Sequence, residues 1–153
     1  MRITIIAMGK AGRGPEQEMI TDYLRRMPWD AEVKEFEIKK PASTAALRKS
    51  QEAEKLLSAV PPASAIIVLD ERGKALTSRQ FAGKIDSLMT EGYNSIAFII
   101  GGADGLDDTV KQKANLTLAF GTLTWPHIMV RAMLAEQTYR AWSILNGHPY
   151  HRD

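Results

Sequence analysis

The sequence predicts an α/β protein with a mostly parallel sheet and helices on both faces. Short apolar, β-branched runs alternate strictly along the chain with longer amphipathic segments, an order typical of βαβ units. Two runs, Ala65 to Leu69 and Ile96 to Ile100, are continuously apolar, as expected for strands covered on both faces. The chain has 153 residues and neither an internal repeat nor a long linker. A single domain over residues 1–153 is therefore predicted.

Five strands and five helices follow from this alternation. The predicted strands are Ile3 to Met8, Val33 to Ile38, Ala65 to Leu69, Ile96 to Ile100 and Leu116 to Phe120. The predicted helices are Pro15 to Met27, Ser43 to Ala59, about Thr77 to Thr90, Asp107 to Ala114 and Pro126 to about Leu145. Helix boundaries rest on Pro15 in a first turn, on Ser43 or Thr44 as a cap, and on Pro61-Pro62 as a stop.

The composition excludes several kinds of site. The chain has no cysteine, which removes disulfides, thiolate nucleophiles and zinc sites built on sulfur. No apolar run approaches the roughly 18 residues that cross a membrane, and the run Ile3 to Met8 is too short for a signal-peptide core of about 7 to 15 residues. We therefore expect a cytoplasmic protein without a membrane partner. The basic, alanine-rich stretch Lys39 to Lys55 is interpreted as a solvated loop and helix face.

Unusual loops follow the third, fourth and fifth predicted strands: Asp70 to Gly73, Gly101 to Gly105 and Gly121 to His127. Open parallel sheets bind ligands at the carboxyl ends of their strands. Gly101-Gly102 lets a ligand approach the main chain, although the spacing matches neither a dinucleotide fingerprint nor a phosphate loop. A tight turn before a helix capped by Asp107 or Asp108 explains the same residues.

The loop from Gly121 to His127 mixes hydrogen-bonding and apolar residues, which suits an adenine ring and its ribose. A plain junction with Thr124 as helix cap and Pro126 opening the helix explains it equally well. His127 is interpreted as bracing the start of that helix.

The last predicted helix is apolar all round in its first half, which indicates burial on all sides. In a protein of this size one face can meet the sheet, and the other is expected to meet another subunit. Arg131, Glu136 and Arg140 interrupt this surface. Glu136 and Arg140 are four residues apart and can pair; a purely structural set of ion pairs is the alternative role for all three.

The chain ends in HPYHRD, His148 to Asp153. This short tail holds two of the three histidines, together with a tyrosine and an arginine. Chain ends are usually poorly ordered, so a docked or disordered terminus is one interpretation, and a functional segment is the other.

Three segments carry a resemblance to a known family: DYLRRMP (Asp22 to Pro28), IIGGADGL (Ile99 to Leu106) and the long run from Leu123 to Arg152. Through these segments the whole chain resembles the RlmH-type methyltransferases of the SPOUT class. The resemblance implies an α/β fold with a trefoil knot near the C-terminus. It also implies a homodimer whose active site draws on both chains, and S-adenosylmethionine as the methyl donor. The implied acceptor is nitrogen 3 of a pseudouridine in large-subunit ribosomal RNA, and the enzyme is expected to act on the assembled ribosome.

The resemblance also implies which residues contact the cofactor. These are Leu69, Gly101, Phe120, Gly121, Thr122, Leu123, Thr124 and Trp125, all in the three loops or directly before them. Phe120, Gly121 and Trp125 stand where leucine, serine and leucine are common in the family. If the contacts are mainly made by the main chain, the differences matter little; if a serine hydroxyl is needed, Gly121 lowers the affinity.

Four residues are candidates for catalysis across the subunit boundary: Arg140, Tyr150, His151 and Arg152. Arg152 is predicted to steady a phosphate or the developing oxyanion, and His151 to act as base or proton relay. Tyr150 is predicted to stack on the target base or donate to it, with Arg140 as a second cation.

RNA contacts are expected from two further patches, Arg25-Arg26 and Lys10 with Arg13. Two other functions stay open on the sequence: a non-catalytic ribosome assembly factor, and a transfer-RNA methyltransferase of the same fold.

Overall fold

In the computed structural model, which describes residues 1–153, five parallel strands form one sheet in the order β2-β1-β4-β3-β5. The strands are β1 (Arg2–Met8), β2 (Asp30–Phe36), β3 (Ala65–Ala75), β4 (Ser95–Ile100) and β5 (Leu116–Ala119). The helices are α1 (Pro15–Arg26), α2 (Ala45–Ser58), α3 (Ser78–Thr90), α4 (Asp108–Gln112) and α5 (His127–Leu145). The predicted fold class and the ten predicted elements are confirmed.

Helices cover both faces of the sheet, as predicted. On one face Ile5 and Phe98 pack with residues of α3 and α5, such as Ile85 and Leu134, and α1 packs against α5. On the other face Ile6, Val68 and Ile99 pack with residues of α2 and with Val110 of α4. The alternation along β1 and β4 assigns successive side chains to opposite cores.

The largest difference between predicted and observed boundaries is in β3. This strand does not end at Leu69 but continues to Ala75, and both Leu69 and Lys74 lie opposite Leu118. The predicted loop Asp70 to Gly73 is therefore a bulge within a longer strand. A Cβ on Gly73 would lie 2.7 Å from the main chain of Thr117, so glycine permits the close approach of β3 to β5.

The helix caps test the local predictions. The hydroxyl of Thr44 accepts a hydrogen bond from the N–H of Leu47 at 3.2 Å, and the carboxylate of Asp107 accepts one from the N–H of Thr109 at 2.9 Å. Both predicted caps are confirmed. The prediction of Thr124 as the cap of the last helix is wrong: Pro126 occupies that position, without a side-chain hydrogen bond. The second strand also begins earlier than predicted and ends at Phe36, before Ile38.

None of the helices combines the length and apolar character required to cross a membrane. The longest, α5, has 19 residues, and it lies against the sheet with Leu134 and Ala135 fully buried.

Candidate cofactor cavity and C-terminal tail

The loops that follow β4 and β5 and the bulge of β3 enclose a cavity of about 420 Å³ at the carboxyl edge of the sheet. This volume lies within the range of small-molecule sites. Seven of the eight residues expected to contact the cofactor line it: Leu69, Gly101, Phe120, Gly121, Leu123, Thr124 and Trp125. Thr122 is exposed and is not part of the lining.

The loop between β5 and α5 keeps its main-chain groups free. The indole Nε1 of Trp125 donates to the carbonyl oxygen of Phe120 at 3.0 Å, which closes the loop on itself. Gly121 within it has a φ of +93°, a left-handed conformation that favours glycine. No N–H or C=O of residues 121–125 takes part in a main-chain hydrogen bond of the chain, so these groups are available to a ligand.

The loop after β4 leaves no room for a side chain at Gly101. A Cβ on Gly101 would lie 2.9 Å from Cδ2 of Leu106 and 3.0 Å from the carbonyl oxygen of Gly105. Gly105 has a φ of +84°, and its N–H donates to the carbonyl oxygen of Gly102 at 3.1 Å. The turn thus brings bare main chain to the cavity wall, as the sequence predicted.

An ion pair forms one side of the cavity. Nζ of Lys111 lies 2.8 Å from Oδ2 of Asp70, and the N–H of Arg72 donates to Oδ1 of Asp70 at 2.8 Å. Burial raises the pKa of the Asp70 carboxyl, but these two contacts outweigh it and hold the pKa below its usual range. The sequence prediction missed both Asp70 and Lys111 as a pair, because they are 41 positions apart (111 minus 70).

The C-terminal tail is docked on the surface of its own chain, where Glu136 of α5 is the common acceptor. The hydroxyl of Tyr150 donates to Glu136 at 2.9 Å, and Nε of Arg140 donates to it at 3.0 Å. The predicted pair of Glu136 and Arg140 is therefore confirmed. Burial, together with hydrogen bonds to Tyr23 and Glu136, raises the pKa of the Tyr150 hydroxyl, so this group stays a protonated donor.

His151 lies between two charged neighbours. Its Nδ1 is 3.1 Å from Nη1 of Arg140, and its Nε2 is 3.3 Å from Oδ1 of Asp153. A guanidinium has no acceptor, so Nδ1 must accept and a neutral ring carries its proton on Nε2, facing Asp153. Arg152 is exposed and makes no hydrogen bond or ion pair. None of the four predicted catalytic residues lines the cavity of its own chain.

Comparison with known proteins identifies the family. Residues 1–151 match the family described as predicted SPOUT methyltransferases. The chain belongs to this family. It is also 47% identical, over 152 residues and 99% of both chains, to proteins named ribosomal RNA large subunit methyltransferase H from Paramagnetospirillum magneticum and Rhodospirillum centenum.

A solved structure shares the fold. A probable methylase family protein from Haemophilus influenzae matches with a TM-score of 0.54 and 15% identity, over 99% of this chain and 70% of that one. The trefoil knot implied by the resemblance stays a prediction for this SPOUT methyltransferase.

The tail of this SPOUT methyltransferase also rests on an aromatic cluster that sequence reasoning missed. Tyr150 packs edge-on against Tyr139, with ring centroids 4.7 Å apart, and its hydroxyl is hydrogen-bonded to that of Tyr23 at 3.2 Å. The guanidinium of Arg26 lies 4.7 Å from the Tyr139 ring centroid and 5.5 Å from that of Tyr150, as in cation–π contacts. Arg26, predicted as an RNA contact, therefore supports the tail. Tyr23 and Tyr150 are 127 residues apart, so no spacing in the sequence indicates their contact.

Arg131, which the sequence grouped with Glu136 and Arg140, has separate partners. Its side chain is 3% exposed; Nη1 donates to Glu35 at 2.8 Å and Nη2 to the carbonyl oxygen of Met8 at 2.7 Å. Burial lowers the pKa of Arg131, opposed by Glu35. Since Glu35 also accepts from the N–H of Ala11 at 3.0 Å, this buried pair fixes the start of the loop after β1.

An apolar groove of about 660 Å³ adjoins the cofactor cavity of the SPOUT methyltransferase. Residues of α1, α3 and α5 line it, including Met19, Phe81, Met129 and Met133. Phe120 and Gly121 are shared with the cavity. Met19 and Met129 are 47% and 38% exposed, so α5 is not covered on all sides within one chain.

Proposed function

We propose that the protein transfers a methyl group from S-adenosylmethionine to large-subunit ribosomal RNA. The observation that carries this proposal is the 47% identity, over 99% of both chains, with relatives named as large-subunit ribosomal RNA methyltransferases. An identity of this size over the full length supports the same reaction for this chain.

The residues of the cavity fit S-adenosylmethionine. A flat adenine needs apolar walls, which Leu69, Phe120 and Leu123 offer, and main-chain groups that read its edge, which residues 121–125 leave free. Gly101 lines the cavity without a side chain, so a ligand can approach its main chain directly. When bound, the cofactor supplies an activated methyl group, and no metal or thiol of the chain is required.

The finer proposal concerns the acceptor and the assembly. We infer that the acceptor is nitrogen 3 of a pseudouridine, that the substrate is the assembled ribosome in the cytoplasm, and that the enzyme is a homodimer. The apolar groove beside the cavity supports the dimer, because a second subunit would cover exposed Met19 and Met129. The absence of the tail residues from their own cavity supports a shared site, in which the tail of one protomer serves the cavity of its partner.

In this arrangement the tail residues have distinct tasks. His151 serves as base or proton relay for the acceptor nitrogen. Its lone pair is on Nδ1, so it takes up a proton there once the Arg140 guanidinium has moved from Nδ1 to the developing oxyanion. Arg152, which has no partner within its chain, binds the phosphate or the developing oxyanion. The ring and hydroxyl of Tyr150 are engaged by Tyr139 and Glu136, so its task is to hold the tail in place rather than to contact the target base. Arg140 contacts Nδ1 of His151 and offers a second cation.

Radiolabelled S-adenosylmethionine tests the proposal directly. The protein is incubated with labelled cofactor and with ribosomes, free large subunits or RNA fragments from cells that lack this activity. We expect label in large-subunit RNA, at a pseudouridine, and more label on assembled ribosomes than on fragments. Label in transfer RNA would favour a transfer-RNA methyltransferase, and ribosome binding without label would favour an assembly factor.

A further inference from the structure

The helix α2, which the sequence suggested to be a solvated face, is fastened to the glycine loop of the cofactor cavity. The guanidinium of Arg48 donates from Nε and Nη2 to both carboxylate oxygens of Asp104, at 2.8 and 3.3 Å. Its Nη1 donates to the carbonyl oxygens of Ala42 and Ser43, each at 3.2 Å. One side chain thus joins the segment before α2 to the loop after β4, with the bidentate geometry that makes such pairs strong and directional.

Glu52, one helical turn further along α2, presses against the same loop. A Cβ on Gly102 would lie 2.8 Å from Oε1 and 3.1 Å from Oε2 of Glu52, so the carboxylate occupies the space that a side chain would need. Oε2 of Glu52 is buried and has no hydrogen-bond partner. Burial raises the pKa of the Glu52 carboxyl, while the amide of Gly102 opposes the shift. Holding a carboxylate in such a place costs free energy, which a purely solvated helix face would not require.

The two α2 residues contact the loop from outside the cavity. Gly102 and Asp104 line the cavity, whereas Arg48 and Glu52 do not. Three of the five residues from Gly101 to Gly105 are glycines, and glycine loses the most main-chain freedom when a segment is ordered. A loop that binds a ligand through its main chain is either ordered before the ligand arrives or becomes ordered on binding. In the second case the lost conformational freedom lowers the affinity for the ligand.

We propose that Arg48 and Glu52 are positioning residues that hold the loop from Gly101 to Leu106 in the conformation that binds the cofactor. The proposal rests on the proposed function, because it assigns S-adenosylmethionine to this cavity. It gives the segment between Lys39 and Lys55 a role in cofactor affinity rather than that of a solvated face alone.

Calorimetric titration of S-adenosylmethionine and S-adenosylhomocysteine into the full-length protein tests the proposal. Arg48→Ala and Glu52→Ala should each raise the dissociation constant by about five- to tenfold, because the loop must then be ordered on binding. With saturating cofactor, kcat of ribosome methylation should stay within about twofold of the parent, so that the effect lies in KM for the cofactor. Glu52→Gln, which keeps the shape and an acceptor for Gly102, should restore most of the affinity.

Two matched variants control for the loss of charge. Arg2→Ala removes an arginine that lies 3.9 Å from Asp30 at the opposite edge of the sheet, and Glu54→Ala removes an exposed carboxylate of α2. Both should leave the affinity for the cofactor unchanged. Thermal unfolding of each variant checks that it is folded at the assay temperature. If Arg48→Ala is not folded, Arg48→Lys replaces it, because the lysine has a single ammonium group in place of the bidentate guanidinium.

The outcomes separate this proposal from the proposed function. Cofactor binding by the parent with unchanged affinity in the Arg48 and Glu52 variants would overturn the positioning role alone. An equal fall of kcat at saturating cofactor would also overturn it. Failure of the parent itself to bind S-adenosylmethionine would overturn both.

Discussion

The cofactor cavity and the C-terminal tail are built in opposite ways. The cavity is walled by glycine turns and by a loop whose main-chain groups in residues 121–125 are free. The tail consists of side chains, fastened through Glu136, Arg140 and the tyrosine cluster. One site therefore depends on main-chain conformation, and the other depends on the identity of particular side chains.

This difference teaches which substitutions each site tolerates. A loop that binds through N–H and C=O groups can exchange side chains as long as its φ and ψ angles persist. A tail that supplies a proton acceptor and a cation has no such freedom, because no main-chain group replaces an imidazole or a guanidinium. Variants in the two regions should accordingly separate binding from chemistry.

The largest expected effect is in the tail. His151→Ala or Arg152→Ala should lower kcat by about 100-fold or more, the scale of general acid–base and electrostatic catalysis. The dissociation constant for S-adenosylmethionine should stay within about twofold, since both residues are proposed to act on the RNA acceptor and not on the cofactor. Methylation assays and calorimetry on the same preparations measure the two quantities.

The other tail histidine is the matched control for this prediction. His148 is exposed, and its ring centroid lies 5.4 Å from that of Trp142, so His148→Ala should cost much less activity than His151→Ala. Equal loss of cofactor affinity and of kcat in the His151 and Arg152 variants would contradict the separation of the two regions.

A smaller effect is expected at Glu136, which fastens the tail without belonging to the cavity. Its removal leaves the guanidinium of Arg140 and the hydroxyl of Tyr150 without their common acceptor. Glu136→Ala should lower the free energy of unfolding by about 2 kcal/mol, and Glu136→Gln by about half as much, because the amide keeps one acceptor oxygen. Urea denaturation measures both, and an unchanged midpoint in Glu136→Ala would show that the tyrosine cluster and the pair of Arg79 with Asp153 hold the tail without Glu136.

Local signals predicted the elements well, and tertiary contacts explain the misses. The cap at Thr44 and the pair of Glu136 and Arg140 act within four residues, so the sequence alone could predict them. The extension of β3 could not be foreseen, because it depends on how closely Gly73 approaches β5. Pairing of strands out of sequence order is likewise a property of the folded chain, not of any one segment.

The sequence predicted the cofactor cavity and the C-terminal tail to different extents. Strand-end loops indicated the cavity, since parallel sheets bind ligands at that edge. The sequence did not indicate which side chains contact these loops. The ion pair of Asp70 and Lys111 and the contact of Arg48 with Asp104 each join segments that are distant in the sequence. The tail's chemistry was visible in six residues, but its support by Tyr23 and Arg26 comes from the other end of the chain.

Asp70 tests whether the cavity has any dependence on side chains. Its carboxyl is 11% exposed, and its pKa lies below the usual range. The stabilisation is therefore present above the pKa of the unfolded chain and is lost as the pH falls through the folded value. Asp70→Asn should lose about 1 kcal/mol of unfolding free energy at pH 7, and its difference from the parent should shrink below about pH 4. A difference independent of pH would attribute the effect to packing instead of charge.

The smallest effects are expected in the loop itself, where Gly121 and Thr122 form a matched pair. Thr122→Ala removes an exposed side chain and should leave the dissociation constant for S-adenosylmethionine within about twofold.

Gly121→Ala and Gly121→Ser place a Cβ in open space but at a φ of +93°, and this strain should weaken binding by roughly fivefold in both. The resemblance described in the sequence analysis implies a serine at this position, so Gly121→Ser also decides between the two interpretations of the loop. Tighter binding by Gly121→Ser than by the parent would mean that a hydroxyl, and not the main chain, is what the cofactor needs there. Equal weakening of the serine and alanine variants would support recognition by the main chain, because the hydroxyl would then add nothing to the affinity.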